Sequence, residues 1–380
     1  MVSPLVTSVR YCITGGHIDY RMGLEASLDA FNARDWESDT VPEDGPLRMA
    51  VIGLGEFARN RALPAIEQTT QCETTVVVSS SPEKAQTVAT EFEAEHILDY
   101  EEFHTGRMSD AYDAVYIATP PAFHLEYAET AAEHGKHVLC EKPMEVTVER
   151  AEEMVRVCED AGVTLMIAYR IQAEPAVRRL RKLIQVGFIG DPVYLHGQFS
   201  AAVFDDDSVE DVWRVDPDVA GGGALMDLGI YPLNTSRFLL GTDPIAVEAT
   251  TASVHDEFAG VDEHVSLQVS FSESVTGSFS ASFTAHRDSR LQVVGTEGHV
   301  LIESAFGSLA TREVTLERGD LYTELTGPST NEVVEEFEYF ATKVLTGEEP
   351  GPNGSHGLTD LEVMTGAYES AETDSRVRLR

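Results

Sequence analysis

Lysine is almost absent from this chain. Of 27 basic residues only Lys84, Lys136, Lys142, Lys182 and Lys343 are lysines, against 65 aspartates and glutamates, for a formal net charge of -38 at pH 7. That deficit excludes a phosphate-neutralising patch, so neither nucleic acid nor an anionic membrane is an expected partner. No stretch approaches the length of apolar chain that spans a bilayer, and the N-terminus lacks a basic segment leading into an apolar run. Neither a membrane span nor secretion is expected, and the reading is a cytoplasmic protein. Cysteine is also scarce. Cys12, Cys72, Cys140 and Cys158 form no C-x-x-C and no Cys/His ligand spacing, so they read as reduced small hydrophobes, and no metal site is expected. Internal repeats and low-complexity tracts are missing as well.

What is present is the composition of a folded protein: 42% hydrophobic residues over 380 positions, enough for about two domains. The acidic residues run along the whole length and form no tail, so disorder does not explain them. A surface of this kind repels itself at low ionic strength and suits concentrated salt, where screening lengths fall to a few ångströms. A salt-adapted protein is expected.

Residues 1–46 hold Gly15, Gly16 and the acidic "DWESDTVPEDGP" with no strong period, and read as an N-terminal extension. From "LRMAVIGLG" onward, apolar runs alternate with amphipathic stretches. Strands are expected over 47–52, 74–79, 114–118, 136–140 and 163–167, with helices near 57–68, 82–92, 122–134 and 147–161. That alternation indicates βαβ units and a parallel sheet. After about residue 190 the pattern becomes "PVYLHGQFSAAVF", a Gly-rich helix start, then "AVEATTASV", "HVSLQVSF", "SVTGSFSASF", "RLQVVGT" and "GHVLIES" in series, which predicts an antiparallel sheet. The expected fold class is therefore α/β plus α+β.

"AVIGLGEFA" supplies Gly53, Gly55 and Ala58, a G-x-G-x-x-A directly after a strand and opening a helix, with Glu56 and Phe57 in the same turn. The first glycine permits the tight turn, the second lets the backbone approach a pyrophosphate, and the small third residue lets helix pack on strand. The second strand runs into "VVVSSSPEKA". A cofactor with a free ribose 2′-hydroxyl usually meets a carboxylate there. Ser79, Ser80 and Ser81 stand there instead, with Lys84 in the following helical turn, which favours a 2′-phosphate and hence NADP over NAD, without excluding NAD. On the other reading, Ser81 caps the helix and Lys84 is solvated.

Two further stretches carry chemistry. "GKHVLCEKPM" puts Glu141, Lys142 and Pro143 at the C-terminal end of a strand, where open α/β sheets bind ligands. Proline restricts the backbone of Lys142 and itself can be cis. "GGGALMDLGIY" runs three glycines into a helix carrying Asp227 and Tyr231 four residues apart, on one face. They read either as an acid/base pair facing a cleft or as a hydrogen-bonded core pair. Tyr169 and Arg170 follow the "VTLMIAYR" strand at the same sheet edge, as sugar-binding candidates or as an arginine paired with surface acid. Thr119, Pro120 and Pro121 end another strand beside the expected nicotinamide position. His124 is a cofactor contact or a packed first-turn residue. Trp213 and Arg214 lie in an acidic loop, as a lid or a loop anchor.

Taken together, "GLGEFARNRALPAI", "AVYIATPPAFHLEYA", "GKHVLCEKP", "AYRIQAEPAVRRLRKLIQVGFIG" and "GGGALMDLGIYPLNTSRFLLG" resemble the glucose–fructose oxidoreductase/inositol dehydrogenase (Gfo/Idh/MocA) family over residues 47–345. The resemblance implies a Rossmann NADP-binding domain over 47–168. It also implies a substrate-binding and oligomerisation domain over 169–345 with an open, mostly antiparallel sheet, and leaves a helical segment over 346–380. Many relatives carry Asp and His in the Gly-rich helix. Asp227 and Tyr231 match instead the branch with glucose–fructose oxidoreductase, dimeric dihydrodiol dehydrogenase and NADP-dependent xylose dehydrogenases. The expected activity is oxidation of a cyclic aldose at C1, D-xylose first among them, to the aldonolactone. Tyr231 would be the general base, Lys142 would stabilise its phenolate and orient the hydroxyl, and Asp227 would position the sugar or tune the pair. A phenol ordinarily titrates near 10 and needs such help to act near neutrality. The resemblance also leaves open a sugar–sugar oxidoreductase, a trans-dihydrodiol dehydrogenase, and a cofactor-binding sensor without turnover. A homodimer or homotetramer is expected.

Overall fold

A computed structural model describes residues 8–13, 31, 33–36, 45–203, 213–272, 274–307, 311–326 and 330–379. The described strands are β1 Ser8–Ile13, β2 Leu47–Ile52, β3 Cys72–Val78, β4 His96–Leu98, β5 Ala114–Ile117, β6 His137–Cys140, β7 Leu165–Ile167, β8 Pro192–Ser200, β9 Ala246–Ala252, β10 His264–Ser270, β11 Thr276–Ser282, β12 Asp288–Gly295, β13 Gly298–Glu303, β14 Glu313–Arg318, β15 Leu321–Thr326 and β16 Val377–Arg378.

Six of them form a parallel sheet in the order β4-β3-β2-β5-β6-β7. Its strands are apolar on both sides because both faces are covered. Ala50, Ile52, Val76, Val78, Val115 and Ile117 enter one core, which includes Leu125 and Ala128 of the helix His124–Glu133 and Met154 of the helix Val148–Ala161. Met49, Val51, Val77, Ala114 and Tyr116 enter the other, with Ala85 and Val88 of the helix Pro82–Glu91. The helix Glu332–Thr346 completes that second layer through Val333, Phe337 and Phe340, although it follows the second sheet in the chain. The helix Gly354–Thr373 packs against both β7 and β9, so the two sheets share it.

The other ten strands form one open sheet in the order β1-β15-β14-β13-β12-β8-β11-β10-β9-β16. Alternate burial along β10, with Val265, Leu267 and Val269 buried, shows one covered face. The expected antiparallel series needs one correction. β8 and β11 pair in parallel at the centre, with Phe279 opposite Gly197, because residues 217–240 cross beneath the sheet before β9 begins. The remaining pairings are antiparallel, so the sheet is mixed and mostly antiparallel.

Most of residues 1–46 lies outside the described residues. What is described binds to the rest of the chain: β1 pairs with β15, Trp36 meets Tyr339 edge-on at 5.4 Å, and Asp35 bridges to Lys182 at 2.6 Å and to Arg178.

Both helices that enter the candidate site carry a wide π-helical turn just before a proline. Ala58–Ala62 precedes Pro64, and Leu225–Gly229 precedes Pro232. Proline has no N–H to give and its ring crowds the carbonyl four residues back, so the turn widens around it. The helix expected near 57–68 is present, with this wide turn inside it.

Candidate active site

Because β2, β3, β5 and β6 run parallel, their C-terminal ends bring Gly53, Ser79, Thr119 and Glu141 to one edge. Gly53 has φ +88°, and a Cβ there would stand 2.8 Å from the Ala118 carbonyl oxygen, so only glycine fits. At Gly55 a Cβ would meet nothing within 4 Å, which leaves open space over the helix start. Thr119 Oγ1 is buried and has no hydrogen-bond partner among the described residues. Ser79 Oγ accepts from the Ser81 N–H at 3.2 Å, and Ser81 Oγ accepts from the Lys84 N–H at 3.3 Å. The capping reading of Ser81 therefore holds, while each hydroxyl keeps a proton to donate. Ser80 is exposed, and Lys84 stands in the first turn of the helix Pro82–Glu91. The open space, the orphaned hydroxyl and the run of three serines fit a dinucleotide with a charged ribose substituent.

Other cofactor candidates hold the crevice together. Glu56 is exposed and accepts weakly from Asn60 at 3.5 Å, and Phe57 packs partly buried on the second core. Pro120 starts the turn Pro121–Phe123. His124 is fully buried, with Nε2 at 2.8 Å from the Thr119 carbonyl oxygen and Nδ1 at 3.2 Å from that of Met144. Burial lowers its pKa, and the neutral ring has one N–H to donate to one of these two carbonyls, so it packs between the Thr119 and Pro143 loops. Glu141 accepts from the Tyr116 hydroxyl at 2.6 Å and from the Lys142 N–H at 3.2 Å; both its oxygens are engaged within the chain.

The Lys142–Pro143 peptide bond is cis. Lys142 Nζ donates to Asp227 Oδ1 at 2.8 Å and to the Asp227 carbonyl oxygen at 2.9 Å, and lies 4.8 Å from the centre of the Tyr231 ring. Arg214 Nε donates to the other Asp227 oxygen at 3.1 Å, and its guanidinium stacks on Trp213 at 4.6 Å. Burial would raise the Asp227 carboxyl, but Lys142 and Arg214 outweigh it and hold the group well below the usual carboxylate range. Burial likewise opposes the Lys142 charge, and Asp227 and Tyr231 overcome it, raising the lysine. The pair is therefore ionic at neutral pH. An ammonium has three protons and Asp227 takes two, so one remains for a ligand.

Tyr231 sits between this pair and an aromatic wall, with Phe199 edge-on at 5.3 Å and Phe306 at 6.0 Å. The hydrogen bond to its oxygen comes from Arg170 Nε at 3.3 Å, not from Lys142. Arg170 also donates to the Phe306 carbonyl oxygen at 2.8 Å and pairs with Glu332, so each of its three nitrogens has a partner within the chain. Tyr169 turns away from Tyr231: its ring meets His356 edge-on at 5.8 Å in the core. Residues 204–212 of the acidic loop lie outside the described residues.

The three glycines have a packing reason. A Cβ on Gly223 would stand 2.1 Å from the Asp262 carbonyl oxygen. The Asp262 carboxylate accepts from the N–H groups of Gly223 at 2.7 Å and Leu225 at 2.8 Å, and so caps the helix that carries Asp227. Sequence reasoning missed Asp262, Glu332, Phe199 and Phe306, which come from β8, from the segments before β10 and after β13, and from the helix Glu332–Thr346. It also missed Arg61, whose Nη2 is buried without a partner among the described residues and whose charge feels Glu332, Arg170 and Tyr231.

A buried polar network behind Tyr231 fixes its helix. Gln172 Nε2 and Asn234 Nδ2 each stand 2.9 Å from His356 Nε2, and Arg237 pairs with Asp360 at 2.7 Å. A ring nitrogen facing two amide donors must accept, so His356 is neutral. Burial drops its pKa to about 4 from an ordinary 6.5. On acidification the unfolded chain takes up this proton first, so the contribution is complete above pH 6.5 and is lost as pH falls towards 4. One pKa unit corresponds to about 1.4 kcal/mol, so the loss is roughly 3 kcal/mol. Urea unfolding from pH 7 to 4 should show it, and His356→Gln should flatten that part of the profile; an unchanged profile would contradict the neutral ring.

Two family models match the chain: the oxidoreductase family, NAD-binding Rossmann fold, over residues 47–169, and the GFO/IDH/MocA C-terminal domain over 177–301. A D-xylose 1-dehydrogenase (NADP(+)) of Haloarcula marismortui is 49% identical over 94% of this chain and 100% of the relative. A D-xylose 1-dehydrogenase (NADP(+)) 2 of Haloferax volcanii is 32% identical over 88% of this chain and 100% of the relative. Among solved structures, an aldose-aldose oxidoreductase from Caulobacter crescentus complexed with glycerol superposes with a TM-score of 0.82 at 31% identity, covering 88% of this chain and 100% of that one. The chain belongs to the GFO/IDH/MocA oxidoreductase family.

Proposed function

We propose that this chain is an NADP-dependent aldose 1-dehydrogenase that oxidises D-xylose at C1 to the lactone, with Tyr231, Lys142 and Asp227 as its catalytic residues. One observation carries the reading: a buried Lys142–Asp227 ion pair with a spare ammonium proton lies against the ring of a tyrosine whose oxygen receives a hydrogen bond from Arg170. The similarity over nearly the whole chain to two relatives named as D-xylose 1-dehydrogenases supports the substrate class and the cofactor.

NADP, when bound, supplies the hydride acceptor. Gly53, Gly55 and Thr119 would hold its backbone side, and Ser79, Ser80, Ser81 and Lys84 its 2′-phosphate. The protein's own part is proton transfer and positioning. Lys142 hydrogen-bonds the sugar C1 oxygen through its remaining N–H, keeps that proton and so orients the hydroxyl. Tyr231, as the phenolate that Lys142 and Arg170 stabilise, takes the C1 hydroxyl proton as the carbonyl forms. Asp227 keeps Lys142 charged and aimed, and Phe199 and Phe306 fix the plane of the phenol. The domain limits at 47–168 and 169–345 belong to this reading, as does a salt-adapted, cytoplasmic homo-oligomer.

The test incubates the protein in concentrated potassium chloride with aldoses and NADP or NAD, following absorbance of the reduced cofactor. Turnover with D-xylose and added NADP is expected, faster than with NAD. A protein that reduces no added cofactor but carries reduced nicotinamide through purification would instead be a sugar–sugar oxidoreductase, the reading favoured by the Caulobacter crescentus structure.

A further inference from the structure

The residue that settles where Arg170 points is a glutamate from the far end of the chain. We propose that Glu332 is a positioning residue for proton transfer, holding Arg170 so that its Nε meets the Tyr231 oxygen; this rests on the reading of Tyr231 as proton acceptor.

Glu332 is fully buried and pairs with Arg170 Nη1. Arg170 is itself almost fully buried, and its three nitrogens have three different partners: Nη1 on Glu332, Nη2 on the Phe306 carbonyl oxygen, Nε on Tyr231. A planar guanidinium held at two corners has its third donor direction fixed. The Phe306 carbonyl belongs to the segment after β13, whereas Glu332 opens the helix Glu332–Thr346 that covers the parallel sheet. The guanidinium is thus clamped between the two sheets' layers, and its remaining edge points at the phenol.

The place of Glu332 explains how a buried carboxylate stays charged there. It is the first residue of its helix, next to the Asn331 cap, where unpaired N–H groups favour negative charge. Burial pushes its carboxyl up, and Arg170, Arg312 and Arg61 together pull it below the ordinary value. The charged groups around this clamp are Arg61 from the helix after the glycine turn, Glu141 after β6, Arg312 before β14, Glu174 before the helix Pro175–Gln185, and Glu336 one turn along the same helix. Lys142 Nζ lies 4.8 Å and the Arg170 guanidinium 4.9 Å from the centre of the Tyr231 ring.

Charge alone and positioning predict opposite signs. Removing a negative charge near a phenol by itself makes the phenol easier to deprotonate. Losing the Arg170 hydrogen bond makes it harder. The experiment measures pH profiles of kcat and kcat/KM for D-xylose with saturating NADP in wild type, Glu332→Gln, Arg170→Met and the double variant, with NADPH binding by fluorescence and Tm as controls. Glu332→Gln should move the limb that reports the proton acceptor to higher pH by about one unit, and lower kcat about tenfold to hundredfold with little change in NADPH affinity. The double variant should be no worse than Arg170→Met alone, since Glu332 would act only through Arg170.

A limb that moves to lower pH, or losses that multiply in the double variant, would overturn the proposal. Should Glu332→Gln not fold, Glu332→Asp asks the same question with a shorter carboxylate, for which a smaller upward shift is expected and an unshifted profile counts against it. Tyr231→Phe separates the two ideas: if that variant stays active, the function reading has failed. If it is dead while Glu332→Gln is unaltered, only the positioning role has failed.

Discussion

Tyr231→Phe should lower turnover of D-xylose with NADP by about 10²–10⁴-fold, the range that a positioned acid or base contributes. NADPH affinity and thermal stability should stay close to wild type. The phenyl ring keeps its contacts with Phe199 and Phe306, and the variant loses only the oxygen that accepts from Arg170 Nε at 3.3 Å. A hydrogen bond to a charged donor is worth about 1.5–3 kcal/mol and this one is long, so only a modest fall in Tm is expected and the loss of activity cannot be ascribed to unfolding. Steady-state rates, cofactor titration and a thermal melt on the same sample decide it. A variant within tenfold of wild type would mean that the proton goes elsewhere, and Lys142 would be the next group to examine.

Lys142→Met should remove activity by a comparable factor, about 10²–10³-fold, because a fixed donor at the reacting oxygen is lost. Here stability should change too. Lys142 and Asp227 are largely buried, and a buried pair that loses one member leaves the other charge stranded, at a cost of 3–5 kcal/mol in the general case. Arg214 still contacts Asp227 Oδ2, and both groups keep some solvent contact, so a cost of about 2 kcal/mol is expected. The two effects can be separated. Lys142→Met combined with Asp227→Asn removes both charges and should recover part of the lost stability while leaving turnover as low as in the single variant. Denaturant midpoints and initial rates on the same preparations test this. Recovery of turnover in the double variant would show the ion pair to be structural and would end the catalytic assignment of Lys142.

Much of the molecule is legible in the chain because local rules and the fold agree. The glycine turn after β2, the serines after β3 and the Lys-Pro after β6 all lie at the C-terminal ends of parallel strands, and that placement follows from hydrophobic alternation alone. The spacing of Asp227 and Tyr231 likewise put both side chains on the face that meets Lys142, even though the helix widens between them.

What sequence could not supply are the partners that arrive from far along the chain. His124 read as a cofactor contact or a packed first-turn residue, and it is packed, with its ring nitrogens beside two backbone carbonyls; backbone acceptors leave no trace in residue identity. Arg170 read as a sugar ligand or as an arginine paired with surface acid; its acid is a buried glutamate 162 positions away, and a carbonyl 136 positions away holds it as well. Glu332 itself sits in "NEVVEEFE", where nothing in the residue order sets it apart from its acidic neighbours. Composition and period determined the α/β and antiparallel halves and the cofactor edge, and it was the family resemblance that singled out Lys142 and Tyr231. The tertiary structure decided which cation reaches the phenol oxygen, because a guanidinium's direction is set by whatever its other corners bind, and those groups meet only when the two sheets are brought together.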